Sequence, residues 1–204
     1  MGAEILSLTA ASADKTAVTM RHRHTILRLA LPEELGVSIG HFADVLQNWP
    51  TLSLSCAARR GARDFDMMLR LSAEHSHATL AQIDWVYVAR PQYLLEADFA
   101  PKCDNLDHAD LRFVLPDYAY APIGASSVIV AASAQDCVNA ALQGIGIAAM
   151  PRALVQAELM RGQLIALQAI KPDMPQFLDL QGPALDNHTL ISNAIKDHLR
   201  NLFH

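Results

Sequence analysis

The sequence predicts an α/β protein in which helices alternate with buried, parallel strands. Residues 133–167 show this alternation most clearly, because a helix pattern, a short apolar run, a second helix pattern and a further apolar run follow one another there. The composition agrees, since 51% of the 204 residues are hydrophobic and 18% are charged, as is typical of a folded chain with a sizeable core. A chain of this length forms one domain or two small lobes.

Residues 133–167 carry a start or stop signal at each predicted boundary. Ser133 is placed to cap the first helix, and Gly144 is placed to end it. The apolar run Ile145–Met150 suits a strand that is buried on both faces. The remaining signals are a proline that opens the second helix, a glycine that ends it and a final strand, namely Pro151, Gly162 and Leu164–Leu167.

The rest of the chain supplies further strands and two longer helices. The other predicted strands are apolar runs at Thr25–Leu31, Leu52–Cys56, Met67–Leu71, Trp85–Ala89, Leu111–Leu115, Val128–Ala132 and Phe177–Leu180. Amphipathic helices are predicted at Glu33–Asn48, which Trp49-Pro50 ends, and at Thr189–Phe203. A helical turn is predicted at Tyr93–Leu95 and a polar loop at Glu74–Thr79.

Bulk properties exclude several classes of protein. A formal net charge of -5 argues against a nucleic-acid-binding surface, which needs concentrated Lys and Arg. No apolar run approaches the length of a membrane span, and no basic segment leads into the continuous apolar core of a signal peptide. Three cysteines without metal-ligand spacing favour a reducing compartment. We therefore expect a cytoplasmic protein without a metal or a cofactor.

Two parts of the sequence resemble the effector-binding domain of LysR-type transcriptional regulators. GIGIAAMP (144–151) followed by ELMRGQL (158–164) is similar to the family's strand G-l-G-I-a-l-l-P and its helix end e-L-a-x-G-x-L. FDMMLR (65–70) and ARPQYL (89–94) are similar to the family's F-D-x-a-x-R and to its later P-x-Y-L. The resemblance runs from about Thr25 to the C-terminus and is strongest over Trp85–Leu167.

This resemblance implies a two-lobed α/β fold of the type II periplasmic-binding-protein kind, with a hinge and a central cleft. The expected parts are an N-terminal arm or linker remnant, a first lobe in two segments and a second lobe between them, namely residues 1–24, residues 25–88 with 168–204, and residues 89–167. The hinge is expected near Ala89–Arg90 and Leu115–Pro116. The implied function is an effector-sensing and dimerisation domain, in a homodimer or tetramer that reaches DNA only through a helix-turn-helix domain absent from this chain.

The effector site is expected in the cleft, where the carboxyl ends of the first two strands meet. Arg59 and Arg60 follow the second strand and could clamp a carboxylate, so the expected partner is a small-molecule effector such as a carboxylate or an amino acid. Glu33 and Glu34 follow the first strand; they would pair with the arginines or favour an amine-bearing ligand, and ordinary surface charge is the alternative for all four residues. The predicted effector-binding residues are Pro32, Glu33, Glu34, Arg59, Arg60 and Gly146.

Other chemistries fit the sequence less well. Gly144–Ala149 approximates a dinucleotide-binding pattern, but it opens a strand where that pattern must open a helix. Its glycines are better explained by a helix cap and a close approach of backbones. Cys137 lies in the first turn of a helix, where the dipole lowers a thiol pKa, so an enzyme with Cys137 as nucleophile is one alternative function, although a small buried side chain is preferred. A free-standing small-molecule-binding protein of the same fold is the other alternative.

Overall fold

The chain folds into two lobes, and each lobe is built around a five-stranded sheet. The computed structural model describes residues 25–50, 52–58, 65–100, 111–117, 120–122, 125, 127–168, 171–182 and 189–203. The strands are β1 (Thr25–Leu31), β2 (Leu52–Ala58), β3 (Met67–Ser72), β4 (Thr79–Gln82), β5 (Trp85–Ala89), β6 (Arg112–Leu115), β7 (Ser127–Val130), β8 (Ile147–Pro151), β9 (Ile165–Leu167) and β10 (Phe177–Gln181). The α-helices are α1 (Ala43–Asn48), α2 (Pro91–Glu96), α3 (Ala134–Leu142), α4 (Gln156–Met160) and α5 (Thr189–Phe203), and short 3₁₀ helices lie at Glu33–Leu35, Ile39–Phe42 and Arg152–Val155.

The first lobe has the strand order β2-β1-β3-β10-β4. Strand β1 is parallel to β2 and β3, whereas β10 is antiparallel to β3 and β4. Helix α5 covers one face of this sheet, where its Ile195 and Leu199 are buried in the same apolar core as Leu27 and Leu29 of β1. The apolar stripe predicted for the closing helix therefore forms part of the core of the first lobe.

The second lobe repeats this arrangement with the order β7-β6-β8-β5-β9. Strand β6 is parallel to β7 and β8, and β5 is antiparallel to β8 and β9. Helix α3 packs on this sheet through Cys137, Val138 and Ala141, which share a buried cluster with Val88 and Ala148. The predicted two-lobed α/β fold is confirmed, with the correction that both sheets are mixed, because β5 and β10 run against their neighbours.

Two segments connect the lobes and lie side by side. The first is Ile83-Asp84 between β4 and β5, and the second includes residues 171–176 before β10. The backbone amide of Ile83 donates to the carbonyl oxygen of Gln176 at 2.7 Å, and the indole Nε1 of Trp85 donates to the carbonyl oxygen of Pro175 at 2.8 Å. The two lobes are therefore joined at these segments. Leu115 pairs with β7 inside the second sheet, so the crossing expected from the sequence near Leu115–Pro116 does not connect the lobes.

The lobe boundary expected between residues 88 and 89 falls inside strand β5. This strand pairs with β8 and β9 of the second sheet from Trp85 to Ala89. Asp84, in the connecting segment just before it, accepts from Nε of Arg152 at 2.8 Å, and its carbonyl oxygen accepts from the backbone amide of Arg152 at 2.8 Å. Asp84, the last residue of the first connecting segment, is thus held to the second lobe by these two hydrogen bonds.

The predicted helix at Glu33–Asn48 is wrong as a single element. It divides into the 3₁₀ helices Glu33–Leu35 and Ile39–Phe42 and the helix α1. Gly36 has φ of +73°, which ends the first 3₁₀ helix, and Ser38 caps the second one through a hydrogen bond between its backbone amide and Nδ1 of His41 at 3.0 Å. Although the helix is not continuous, the apolar residues predicted to face the core do so: Leu35, Phe42 and Val45 are all buried.

The predicted helix start and stop around α3 are confirmed in atomic detail. Ser133 Oγ accepts from the backbone amide of Asp136 at 3.2 Å, as expected of an N-cap. At the other end, Gly144 has φ of +74° and the amide of Ile145 donates to the carbonyl oxygen of Ala140 at 2.9 Å, a Schellman-type ending. Because Ile145 takes part in this cap, β8 starts at Ile147 and not at Ile145 as predicted.

Candidate functional site

A cavity of about 690 Å³ opens in the cleft between the two lobes. Its first-lobe wall comes from the end of β1, the segment after it and the middle of β2, and its second-lobe wall comes from the start of α3. The cavity thus lies just beyond the carboxyl end of β1 and beside the start of α3, a position where open α/β sheets bind ligands. A volume of this size is within the usual range for small-molecule sites.

The first-lobe wall is mainly apolar. Leu31 and Pro32 at the end of β1, Val37 and Ile39 beyond it, and Leu54 of β2 all line the cavity. The hydrogen-bonding groups on this wall are in the side chains of Ser38, Ser55, Cys56 and Glu33. Burial raises the pKa of the Cys56 thiol, so this group is uncharged at neutral pH and acts as a weakly polar contact.

The second-lobe wall consists of the N-cap and the first two residues of α3. Ser133, Ala134 and Gln135 line the cavity there. Ala134 is fully buried against the first lobe, and a Cβ atom at Gly36 would lie 3.1 Å from its Cβ. The two lobes therefore approach closely at Gly36 and Ala134, both of which line the cavity.

The structure brings together only part of the predicted site. Pro32 and Glu33 line the cavity, whereas Glu34 is not among the described residues that do so. Arg59 and Arg60 lie outside the described residues, so their contribution stays a prediction. Four further residues line the cavity and are not among the site residues predicted from the sequence: Ser38, Ser55, Ser133 and Gln135. The predicted helix start at Ser133 was a signal for the last two.

Gly146 lies in a different environment from the cavity. A Cβ atom at this position would stand 2.5 Å from the backbone oxygen of Arg112 and 3.2 Å from Cγ2 of Val114. The close approach of backbones that the sequence suggested for these glycines is therefore present between the start of β8 and β6. A role for Gly146 in effector binding stays a prediction, and no described contact joins it to the cavity lining.

Cys137 does not have the properties of a nucleophile. Its side chain is fully buried, and burial together with the nearby Asp136 carboxylate raises its thiol pKa to about 12. A reactive cysteine needs a lowered pKa and access to solvent. The small buried side chain preferred from the sequence is the correct description, and the dipole of α3 is outweighed by burial.

A separate polar cluster holds the edge of the first sheet together. The Asp179 carboxylate is buried, and it accepts from Oγ1 of Thr79 at 2.8 Å and from Oγ of Ser76 at 3.3 Å. These bonds fasten β4 to β10, so they satisfy a buried charge and have a structural role. Within the described residues no cluster of three His, Cys, Asp or Glu side chains could hold a metal ion, and no helix is long and apolar enough to cross a membrane.

Comparison with known proteins gives matches at the level of structure. No protein-family model matches the sequence, and no curated protein matches it significantly. The regulatory domain of CrgA, a LysR-type transcriptional regulator from Neisseria meningitidis, superposes with a TM-score of 0.66 at 18% identity, over 89% of this chain and 100% of the CrgA domain.

Two further structures extend this likeness. The AmpR effector-binding domain from Citrobacter freundii gives a TM-score of 0.60 at 14% identity, over 85% of this chain and 98% of that domain. The full-length regulator LysG from Corynebacterium glutamicum, with its effector arginine bound, gives 0.61 at 17% identity, over 86% of this chain and 68% of LysG. The chain therefore has the two-lobed fold of LysR-type effector-binding domains, with a cavity in the cleft between its lobes.

Proposed function

We propose that this chain is the effector-sensing and dimerisation domain of a cytoplasmic LysR-type transcriptional regulator. The observation that carries the proposal is the cavity in the inter-lobe cleft of a fold that matches whole regulatory domains from end to end. LysG, which has the same fold, carries its effector arginine, and this supports a small-molecule ligand here. DNA contact would fall to a helix-turn-helix domain outside residues 25–203.

The proposed mechanism is a population shift between lobe arrangements. A ligand that contacts β2 on one side and the start of α3 on the other binds more tightly when the lobes approach, and it can shift the equilibrium only by that difference in affinity. The two connecting segments, Ile83-Asp84 and residues 171–176, would act as the hinge. In the first of them only two residues join β4 of the first sheet to β5 of the second, so changes in a few backbone torsion angles would be enough to move one lobe relative to the other. The shift would then change the arrangement of subunits in an oligomer.

The first prediction concerns ligand binding in the cleft. We expect thermal unfolding against a panel of small carboxylates, amino acids and amines to show stabilisation by about 2.7 kcal/mol for a ligand present at a hundredfold excess over its dissociation constant. Ser55→Trp should abolish this response, because a large side chain on β2 would fill the cavity that Ser55 lines. Ser55 is exposed, so the unliganded protein should lose little stability.

Ser53→Trp is the matched control for this experiment. Ser53 is exposed on the same strand but does not line the cavity, so its replacement should leave the ligand response unchanged. Equal loss of response in both variants would argue against a site in the cleft. No stabilisation of the wild-type protein by any compound of the panel would argue against the sensor function itself.

The second prediction concerns assembly. We propose that the segment Glu33–Asn48 of one subunit packs against the second-lobe helix α3 of another, giving a homodimer that can extend to a tetramer. Exposed apolar side chains of the second lobe include Ile129 at 40% exposure and Val130 at 55%, in the strand that precedes α3. Size-exclusion chromatography with light scattering should give at least a dimer at high protein concentration, and elution as a monomer would contradict the proposal.

A further inference from the structure

Among the described residues, the charges around the cleft are unfavourable for an anion. Pro32 has no backbone N–H, so the chain turn that follows β1 lacks one of the donors with which a helix start binds an anion. The 3₁₀ helix that begins there carries Glu33 and Glu34 in its first turn. Two carboxylates at this position would repel a third one on a ligand.

On the opposite wall, a carboxylate of the protein itself already lies at the N-terminus of α3. The Asp136 carboxylate lies in the first turn of this helix, where Ser133 Oγ donates to its Oδ2 at 2.8 Å. The Ser133 hydroxyl is also the acceptor for the backbone amide of Asp136. The partial positive charge of the helix N-terminus is therefore offset within the protein, and little of it remains for a ligand.

Among the described residues that line the cavity, Glu33 is the one with a charged side chain. No described residue forms an ion pair with it, and its side chain is partly exposed towards the cleft. Around it, Leu31, Val37, Ile39, Leu54 and Ala134 give the cavity aliphatic walls. An unpaired carboxylate beside an aliphatic pocket is complementary to a molecule with one cationic end and an apolar body.

We infer that the ligand of this cleft is a small apolar amine, with its protonated amino group at the Glu33 carboxylate and its hydrocarbon or aromatic skeleton against the aliphatic walls. This inference rests on the proposed function and specifies the chemical class of the effector. The serine hydroxyls and the Gln135 amide, which also line the cavity, supply neutral hydrogen-bonding groups for further substituents. Glu33 sets the sign of the charge that the site accepts.

The test uses three compounds with the same skeleton and different end groups. Phenylpropylamine, phenylpropanol and phenylpropanoate are titrated into the wild-type protein by calorimetry and by thermal unfolding at neutral pH. We expect the amine to bind more tightly than the alcohol, and the carboxylate to bind least tightly. Glu33→Gln should weaken binding of the amine by about tenfold to a hundredfold and leave binding of the alcohol unchanged.

Glu34→Gln is the matched control, because Glu34 shares the same 3₁₀ turn but is not among the described residues that line the cavity. Equal weakening by the two glutamine variants would overturn the role of Glu33. Tighter binding of the carboxylate, abolished by Ser55→Trp, would overturn the ligand class while the proposed function stands. Failure of all three compounds and of the wider panel to bind would overturn the proposed function as well.

Discussion

Replacing Gly146 by alanine is expected to destabilise the protein by about 3 kcal/mol or more. The added Cβ would stand 2.5 Å from the backbone oxygen of Arg112 and 3.1 Å from its carbonyl carbon, and backbone atoms cannot rotate away as a side chain can. Phe113 and Val114 hold Ile147 and Ala148 in register just beyond this point. Relief of the clash therefore requires β6 and β8 to separate at their start. Urea denaturation, with the midpoint and the slope both recorded, would measure the effect.

Gly162→Ala is the control for this prediction. Gly162 has φ of +68°, but no atom lies within 4 Å of the Cβ that alanine would add. Only the conformational cost of about 1–2 kcal/mol is expected there. If Gly146→Ala kept full stability and lost only its response to ligand, Gly146 would belong to the effector site, as the sequence analysis suggested.

The second large effect is expected at alkaline pH. Burial raises the pKa of Cys137 from 9.0 to about 12 and that of Tyr87 from 10.0 to about 12, with the Asp136 and Asp173 carboxylates adding to the two shifts respectively. Both groups are neutral when protonated. Between pH 9 and pH 12 the unfolded chain therefore loses protons that the folded chain keeps, and the free energy of unfolding falls as pH rises.

The size of this effect follows from the shift at Cys137. The free energy of unfolding is unaffected by this thiol below about pH 9, and the loss of stability that it causes grows to on the order of 4 kcal/mol as pH approaches 12. Urea denaturation of the reduced protein at pH 8 and pH 11 would measure the loss. The Cys137→Ala variant lacks the thiol, so its free energy of unfolding should fall clearly less between pH 8 and pH 11. An equal loss in wild type and variant would show that the thiol titrates normally in the fold.

Local signals account for the parts of the fold that the sequence predicted correctly. The helix α3 starts at the Ser133 cap and ends at Gly144, because both signals act on backbone groups a few residues away. Strand β1 was predicted with its observed bounds, Thr25–Leu31, since a proline follows it. The edge strand β4 was missed, because its four residues include only two apolar side chains between polar ends.

The errors arise where distant residues decide the conformation. The segment after β1 has helical apolar spacing, yet Gly36 adopts a left-handed conformation, and a Cβ atom there would lie 3.1 Å from that of Ala134 in the other lobe. The turn at Gly36 and the cap at Ser38 divide the segment into shorter helices. Nothing within the segment itself identifies Ala134 as its neighbour, so periodicity alone favoured one helix.

In the candidate site, too, some residues follow from local signals and others depend on contacts between distant parts of the chain. Pro32 and Glu33 were predictable, because the ends of parallel strands are general ligand positions. Ser55 and Gln135 line the cavity from two different lobes, and their proximity depends on how those lobes are joined.

The sequence by itself determined the α/β class, the order of most elements, their caps and one edge of the cleft, because these depend on apolar periodicity and on backbone hydrogen bonds over short distances. Only the tertiary structure decided the antiparallel placement of β5 and β10, the position of the two segments that connect the lobes and the described lining of the cavity. The strand placements depend on pairing between residues far apart in the chain within one lobe, and the cavity lining depends on how the two lobes pack against each other.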